Sequence, residues 1–184
     1  TSLRAIIDLG GYFCHYPSIR FSGGKGAQIR MRYAESLWDS ATEKSMEQRD
    51  QIDGRVFRGM HDSIIPDGRQ MQIDTPWWRA GRFVQLEIKT VREQLTIESL
   101  SFQETRYDLG IEFKLESNVP GLSDISAVAL RTLQMCSHET YMDCPYYEQL
   151  QYVGDTRLQA LLSYLISPDA RLARKAILMF EASR

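Results

Sequence analysis

Near residue 118 the spacing of apolar residues changes from every second position to every third or fourth. Strand side chains alternate between two faces, whereas helical side chains return to one face about every 3.6 residues. The chain is therefore expected to be α+β, with strands first and helices last. Before the change, AQIRMRYA (27–34) sets Ile29, Met31 and Tyr33 on one face and Arg30 and Arg32 on the other, the arginines facing solvent. Runs at 3–8, 18–21, 69–74, 82–90 and 95–105 also read as strands; in 82–90 either Phe83 or Val84 opens a register that continues through Leu86 and Ile88. SGGKG (22–26) predicts a hairpin turn, and the polar stretch 35–55 predicts a long surface loop. Strands joined by short turns, with no helix between them, predict an antiparallel β-sandwich of jelly-roll type over residues 1–117.

VPG at 119–121 marks the change, and residues 118–184 read as helical. Ser123 or Asp124 is placed to cap a helix carrying Ile125, Val128, Ala129, Leu133 and Cys136 at helical spacing. Leu158, Leu161, Leu162 and Leu165 form a second stripe. Ser167-Pro168 offers a capping residue followed by proline at the first helical position, starting a helix with Leu172, Ala173, Ala176, Ile177 and Phe180. Three helices do not close a large helical domain, so these stripes need cover, either from the sandwich or, as we expect, from further helices.

Composition narrows the function class. A net charge of −2 points to neither nucleic acid nor an anionic membrane as partner. No apolar run is long enough to span a bilayer, and TSLRAIIDLGG lacks signal-peptide layout. That start, without an initiator Met, reads as a piece of a longer chain. Cys14, Cys136 and Cys144 make no disulfide framework and no zinc pair; His15, His61 and His138 are scattered without metal-ligand spacing. No EF-hand spacing supports calcium, and no cofactor is expected. GGKG (23–26) lacks the strand-to-helix context of a phosphate loop.

The stretch DCPYYEQLQYVGD (143–155) interrupts the helical pattern with Asp143, Glu148 and Asp155. Pro145 keeps Cys144 out of the helical region, and Gly154 permits close approach of backbone or ligand. Tyr141, Tyr146, Tyr147 and Tyr152 supply flat faces that can stack on a sugar, with hydroxyls to orient it. A carboxylic acid beside them can protonate a glycosidic oxygen. On pattern alone the stretch fits either a solvated turn or the acidic floor of a cleft. Trp77-Trp78 fits either a sugar platform or aromatic area buried where sandwich and helices meet.

The stretch resembles the acidic signature of bacterial α-L-rhamnosidases of glycoside hydrolase family 78, which commonly reads D-C-P-x-R-E-K-L-G-W-T-G-D. Asp143, Cys144, Pro145, Glu148, Leu150, Gly154 and Asp155 match at identical spacing. LGGYFCHYPSIRFSGGKGAQIRMRYAESL and TPWWRAGRFVQLEI resemble the β-sandwich that precedes the catalytic barrel of these enzymes. The resemblance implies a sandwich followed by the first helices of an (α/α)6 barrel. It implies hydrolysis of terminal α-L-rhamnose from a glycoside or polysaccharide with inversion, by an acid and a base whose carboxyls lie roughly 6.5–9.5 Å apart. Glu148 takes the place of the general acid. Asp143, Asp155, Tyr147 and Tyr152 take substrate-binding places. The general base falls on a later barrel loop, beyond Arg184, so the chain by itself is expected to be inactive.

The stretch departs from the signature at three informative positions. Tyr147 replaces an Arg, removing a charge and a bidentate donor; Gln151 replaces Gly; Val153 replaces Thr. Tyr152 stands where the signature has Trp. The alternative is a non-catalytic carbohydrate-binding or accessory β-sandwich module.

Overall fold

The computed structural model describes residues 1–40 and 49–184. It divides into two compact units, Thr1–Thr105 and Arg106–Arg184. The first holds strands β1 (Ser2–Gly23), β2 (Gln28–Ala34), β3 (Trp38–Asp39), β4 (Arg55–Val56), β5 (His61–Ile64), β6 (Gly68–Asp74), β7 (Arg79–Lys89) and β8 (Leu95–Glu104). The second holds helices α1 (Leu122–Met135), α2 (Val153–Ile166) and α3 (Arg171–Ala182). The chain is thus α+β, as its periodicity requires.

The first unit is one six-stranded antiparallel sheet in the order β5-β2-β7-β1-β6, with β8 on the remaining side of β1. The sheet curls because β1 changes neighbour along its length. Residues 2–15 of β1 pair with β7, and residues 18–23 pair with β6. On its other side, residues 15–23 pair with β8. Thr75 and Pro76 carry the chain from β6 to β7 at the changeover, and the Thr75 amide donates to the Pro17 carbonyl (3.2 Å). The runs expected as separate strands at 3–8 and 18–21 are therefore one strand. Gly10-Gly11 does not end it: the register with β7 shifts between Asp8 and Phe13, and Gly10 takes φ +76°. Extra residues are absorbed as a bulge, which glycine permits.

Ile29, Met31 and Tyr33 are buried as their alternation predicts, together with Ile19, Phe21, Val84, Leu86 and Ile88. β7 is buried on both faces, which resolves its ambiguous register. Val84, Leu86 and Ile88 share one face, while Phe83 lies on the other in a cluster with Ala34, Leu37 and Phe57. Arg30 and Arg32 are half-buried rather than solvated, and Arg32 approaches Glu87 at 3.7 Å. The SGGKG turn forms, with the Ala27 amide donating to Gly24 O (2.8 Å), but β1 and β2 do not pair. Gly23, Gly24 and Gly26 all adopt positive φ, so the turn redirects the chain to another part of the sheet instead of closing a hairpin. Within 35–55, residues 41–48 lie outside the described residues. The flanking parts are not plain loop: β3 and β4 pair as a ribbon, held by Arg55 donating to Asp39 (2.5 Å). Two paired residues per strand leave no alternation to read.

Gly81 is closely confined by backbone within the sheet. A Cβ there would lie 2.7 Å from the Ala34 carbonyl oxygen and 3.0 Å from its carbon, at φ +145°. Both obstacles are backbone and neither can rotate away. Gly81→Ala is expected to cost about 2–3 kcal/mol, read as a lower urea midpoint at unchanged slope; a variant as stable as the parent would contradict the geometry.

The second unit packs Leu109, Leu133, Tyr141, Ile166, Leu172, Ala173 and Ala176 into one core. Residues 106–117 form no strand and run against the helices: Tyr107 N–H donates to Ser137 O (2.7 Å) and Glu112 N–H to Ile166 O (3.0 Å). The expected caps are displaced. α1 begins after Gly121, which is left-handed, and Ser123 and Asp124 fall inside its first turn without a capping bond. α3 begins at Arg171, because Ser167 and Asp169 are used in turns that receive the amides of Asp169 (3.0 Å) and Arg171 (2.9 Å). The first part of the α1 stripe and most of the α2 stripe face outward, while Leu133 and Cys136 are buried. Ile125 and Val128 are exposed, as are Leu158, Leu161 and Leu165, the last at 77%. α2 instead buries Thr156, Ser163 and Ile166, with the Tyr141 hydroxyl donating to Ser163 Oγ (2.8 Å).

Candidate active site

The acidic stretch links α1 to α2 and is closed by Asp143. Its amide donates to Leu150 O (2.9 Å), and its Oδ1 accepts the Leu150 amide (3.0 Å). A loop pinned at both ends by one residue needs few other contacts to hold its shape. Gln149 completes the turn at φ +54° and donates from Nε2 to Pro145 O (2.9 Å). Tyr146 is buried and meets the Tyr147 ring edge-on at 4.7 Å between centroids. Beneath the loop, Met142 N–H donates to Cys136 O (2.9 Å), and Gln159 Nε2 of α2 donates to Met142 O (2.6 Å). The loop is therefore carried by the end of one helix and the first turns of the next.

Glu148, Tyr147, Tyr152 and Asp155 are exposed on this frame, and Asp143 is half-buried. The Tyr152 hydroxyl donates to Glu148 Oε2 (2.5 Å). That bond pushes the phenol pKa up, and the charges of Glu148, Asp143 and Asp155 add to the effect. Of the three carboxylates, Glu148 bonds this hydroxyl, while Asp143 and Asp155 act on it only through their charge. Burial pushes the Asp143 carboxyl upward, but bonds from the Leu150 amide, the Cys144 thiol and the backbone outweigh it and leave its pKa low. Asp143 therefore stays ionised. Burial pushes the Cys136 thiol up to about 11, with Cys144, Asp143 and Asp155 contributing, so it is no nucleophile. Asp155 lies in the first turn of α2, where the helix dipole favours a negative charge.

Gly154 also lies in that first turn, and a Cβ there would meet nothing within 4 Å, so no other described part of the chain approaches it closely. Trp78 is buried and Trp77 is 40% exposed, their rings stacked at 5.9 Å. Tyr141 and Tyr146, expected to offer faces to a sugar, are buried and support the loop instead, whereas the supporting residues Gln149 and Gln159 were not singled out by sequence. Gln149 carries no signal, because left-handed backbone is ordinarily marked by Gly or Asn. Among the described residues no group of three or more His, Cys, Asp or Glu could hold a metal ion. Among the described residues no helix is long and apolar enough to cross a membrane.

The curled sheet with its three helices is a rhamnosidase fold. It superposes on a GH78-family rhamnosidase of Bacillus sp. GL1 with a TM-score of 0.74 and 18% identity, over 95% of this chain and 17% of that one. It superposes on a Klebsiella oxytoca rhamnosidase, solved with rhamnose bound, with a TM-score of 0.76 and 22% identity, over 96% of this chain and 35% of that one. The chain thus spans well under half the length of either protein. Compared by sequence, it matches no protein-family model and no curated protein.

Proposed function

We propose that this chain is part of an inverting α-L-rhamnosidase that removes terminal α-L-rhamnose from a glycoside or polysaccharide. The observation that carries the reading is the pinned acidic loop, in which Glu148 accepts the Tyr152 hydroxyl, on a fold shared with parts of two rhamnosidases. In this reading Glu148 is the general acid and gives its proton to the leaving oxygen. Asp143 and Asp155 hold sugar hydroxyls, and Tyr147 and Tyr152 present their rings to the sugar. Tyr152 also orients the Glu148 carboxyl. The β domain expected over 1–117 is assigned to the curled sheet of residues 1–105, and residues 106–184 to the opening of an (α/α)6 catalytic domain. The outward leucine row of α2 supports this, since such a row is ordinarily covered by another helix. No carboxylate of the chain is assigned as base, and we place the base in a segment beyond Arg184. A non-catalytic β-sandwich module is not favoured, because the likeness runs through the helices as well as the sheet.

The stereochemistry of the product tests the mechanism. In the protein as its host makes it, hydrolysis of an α-L-rhamnoside followed by proton NMR is expected to release the β-anomer first, with the α-anomer appearing only by mutarotation. Initial release of the α-anomer would mean a covalent intermediate and would overturn the inverting assignment.

A further inference from the structure

One face of the sheet carries an unbalanced set of cations. Register across β1, β7, β2 and β5 places Arg4, Glu87, Arg30 and Ser63 in one cross-strand row. Lys89 with Gln28 flanks that row on one side, and Gln85 with Arg32 flanks it on the other. Residues directly opposite across strands share a face. Four cations therefore stand in these rows beside one carboxylate, on a chain whose net charge is −2. Two of the four are engaged. Arg4 donates to Gln85 Oε1 (3.1 and 2.8 Å), and Arg32 Nε lies 3.7 Å from Glu87. The side chains of Arg30 and Lys89 make no ion pair or hydrogen bond among the described residues. Both line a cavity of about 130 Å³ together with Gln28, Ser63 and Glu87. Ile64 and Ile65 wall it where β5 ends, Ile65 being exposed.

We propose that this cavity binds a carboxylate bearing hydroxyls, the chemistry of a sugar acid, with Arg30 and Lys89 holding the carboxylate and Glu87, Ser63 and Gln28 taking hydroxyls. The charge comes first. Arg30 offers a planar fork that matches a carboxylate, and Lys89 adds a second positive charge on the neighbouring strand. The hydroxyls follow from Glu87, which only accepts. Arg32 does not saturate it, because 3.7 Å is beyond hydrogen-bond length, and Arg32 Nε is itself buried without an acceptor. An anion with no donor of its own would meet the Glu87 charge unrelieved, whereas a hydroxyl beside the carboxylate donates to it. Ser63 and Gln28, both exposed, each donate and accept. Ile64 and Ile65 give the C–H groups of the ligand an apolar wall. The cavity has room for about four waters, enough for a carboxylate and its nearest hydroxyls. The rest of the ligand lies outside, so a free sugar acid and the same residue within a polysaccharide both fit. The site belongs to the β unit and does not depend on the rhamnosidase reading.

The test is a titration of the ¹⁵N-labelled chain with galacturonate, tri-galacturonate, galactose and acetate at millimolar concentrations and low salt. The signals followed are the backbone amides of Gln28, Arg30, Ser63 and Lys89 and the Arg30 Nε–H. Galacturonate is expected to shift them saturably. Galactose lacks the carboxylate and acetate lacks the hydroxyls, so each is expected to bind about tenfold more weakly. Tighter binding of the trimer than of the monomer would assign the ligand to a polysaccharide, and no gain from the trimer would assign it to a free sugar acid. Arg30→Gln is expected to weaken galacturonate binding about tenfold, and Lys89→Gln, at an exposed position, about threefold. Unmoved signals with galacturonate would overturn the proposal. So would acetate binding as tightly as galacturonate, which means general attraction of anions, or unchanged affinity in both variants.

Discussion

Glu148→Gln, made in the protein as its host produces it, is expected to slow hydrolysis of an alkyl α-L-rhamnoside by about 10²–10⁴-fold. The loss should be far smaller on a nitrophenyl rhamnoside, because a good leaving group departs without a proton. That dependence on leaving group separates proton donation from sugar binding. A residue that merely held the substrate would cost both substrates equally. The fold is expected to survive, since Glu148 is exposed and a Gln oxygen still accepts the Tyr152 hydroxyl. Unchanged rates on the alkyl substrate would remove Glu148 from the mechanism. An equal loss on both substrates would move it to a binding role.

Acidification is expected to weaken the β unit as pH falls below about 6.5. His15 is held at about 4 by burial and, secondarily, by Arg79, against an ordinary value of 6.5. The folded state refuses a proton that the unfolded state accepts. The stability from neutral His15 is therefore fully present above pH 6.5 and is lost as pH falls from 6.5 to 4, amounting to about 3 kcal/mol. The groups around it set this sign. Arg79 on β7 opposes a second positive charge, although Asp62 on β5 receives its guanidinium at 2.7 and 2.9 Å. Tyr33 on β2 stays neutral, because burial pushes its phenol up. Glu104 on β8 carries the opposite sign. His138, also held low by burial, contributes in the same direction from the helical unit. Comparing the parent with His15→Phe isolates the effect. Between pH 7 and 4.5 the parent should lose more unfolding free energy than the variant, and parallel losses would refute the assignment.

Alternation made β2 readable, because Ile29, Met31 and Tyr33 face one core and nothing else competes for them. β1 was harder. Gly10-Gly11 looks like an end in one dimension, and only its partners on β7 and β8 turn it into a bulge. α3 was legible down to its buried face, Leu172, Ala173 and Ala176, whereas α2 was legible only as a helix. α2 turns a Ser and a Thr inward because Tyr141 waits there for a hydroxyl, a condition set far from α2's own periodicity. The acidic loop was legible by residue type and spacing. Its closure through Leu150 was not, since a backbone amide carries no sequence signal.

The long first strand also has a consequence in time. Its residues leave the ribosome well before their partners, which are 68–74, 79–89 and 95–104. At cellular synthesis rates that is a delay on the order of ten seconds. Through that interval a stretch of 22 residues has no neighbour to take its amides and carbonyls. It is an open edge, the kind that other chains can join. The strand that organises the finished sheet is thus the part of the nascent chain most in need of a chaperone.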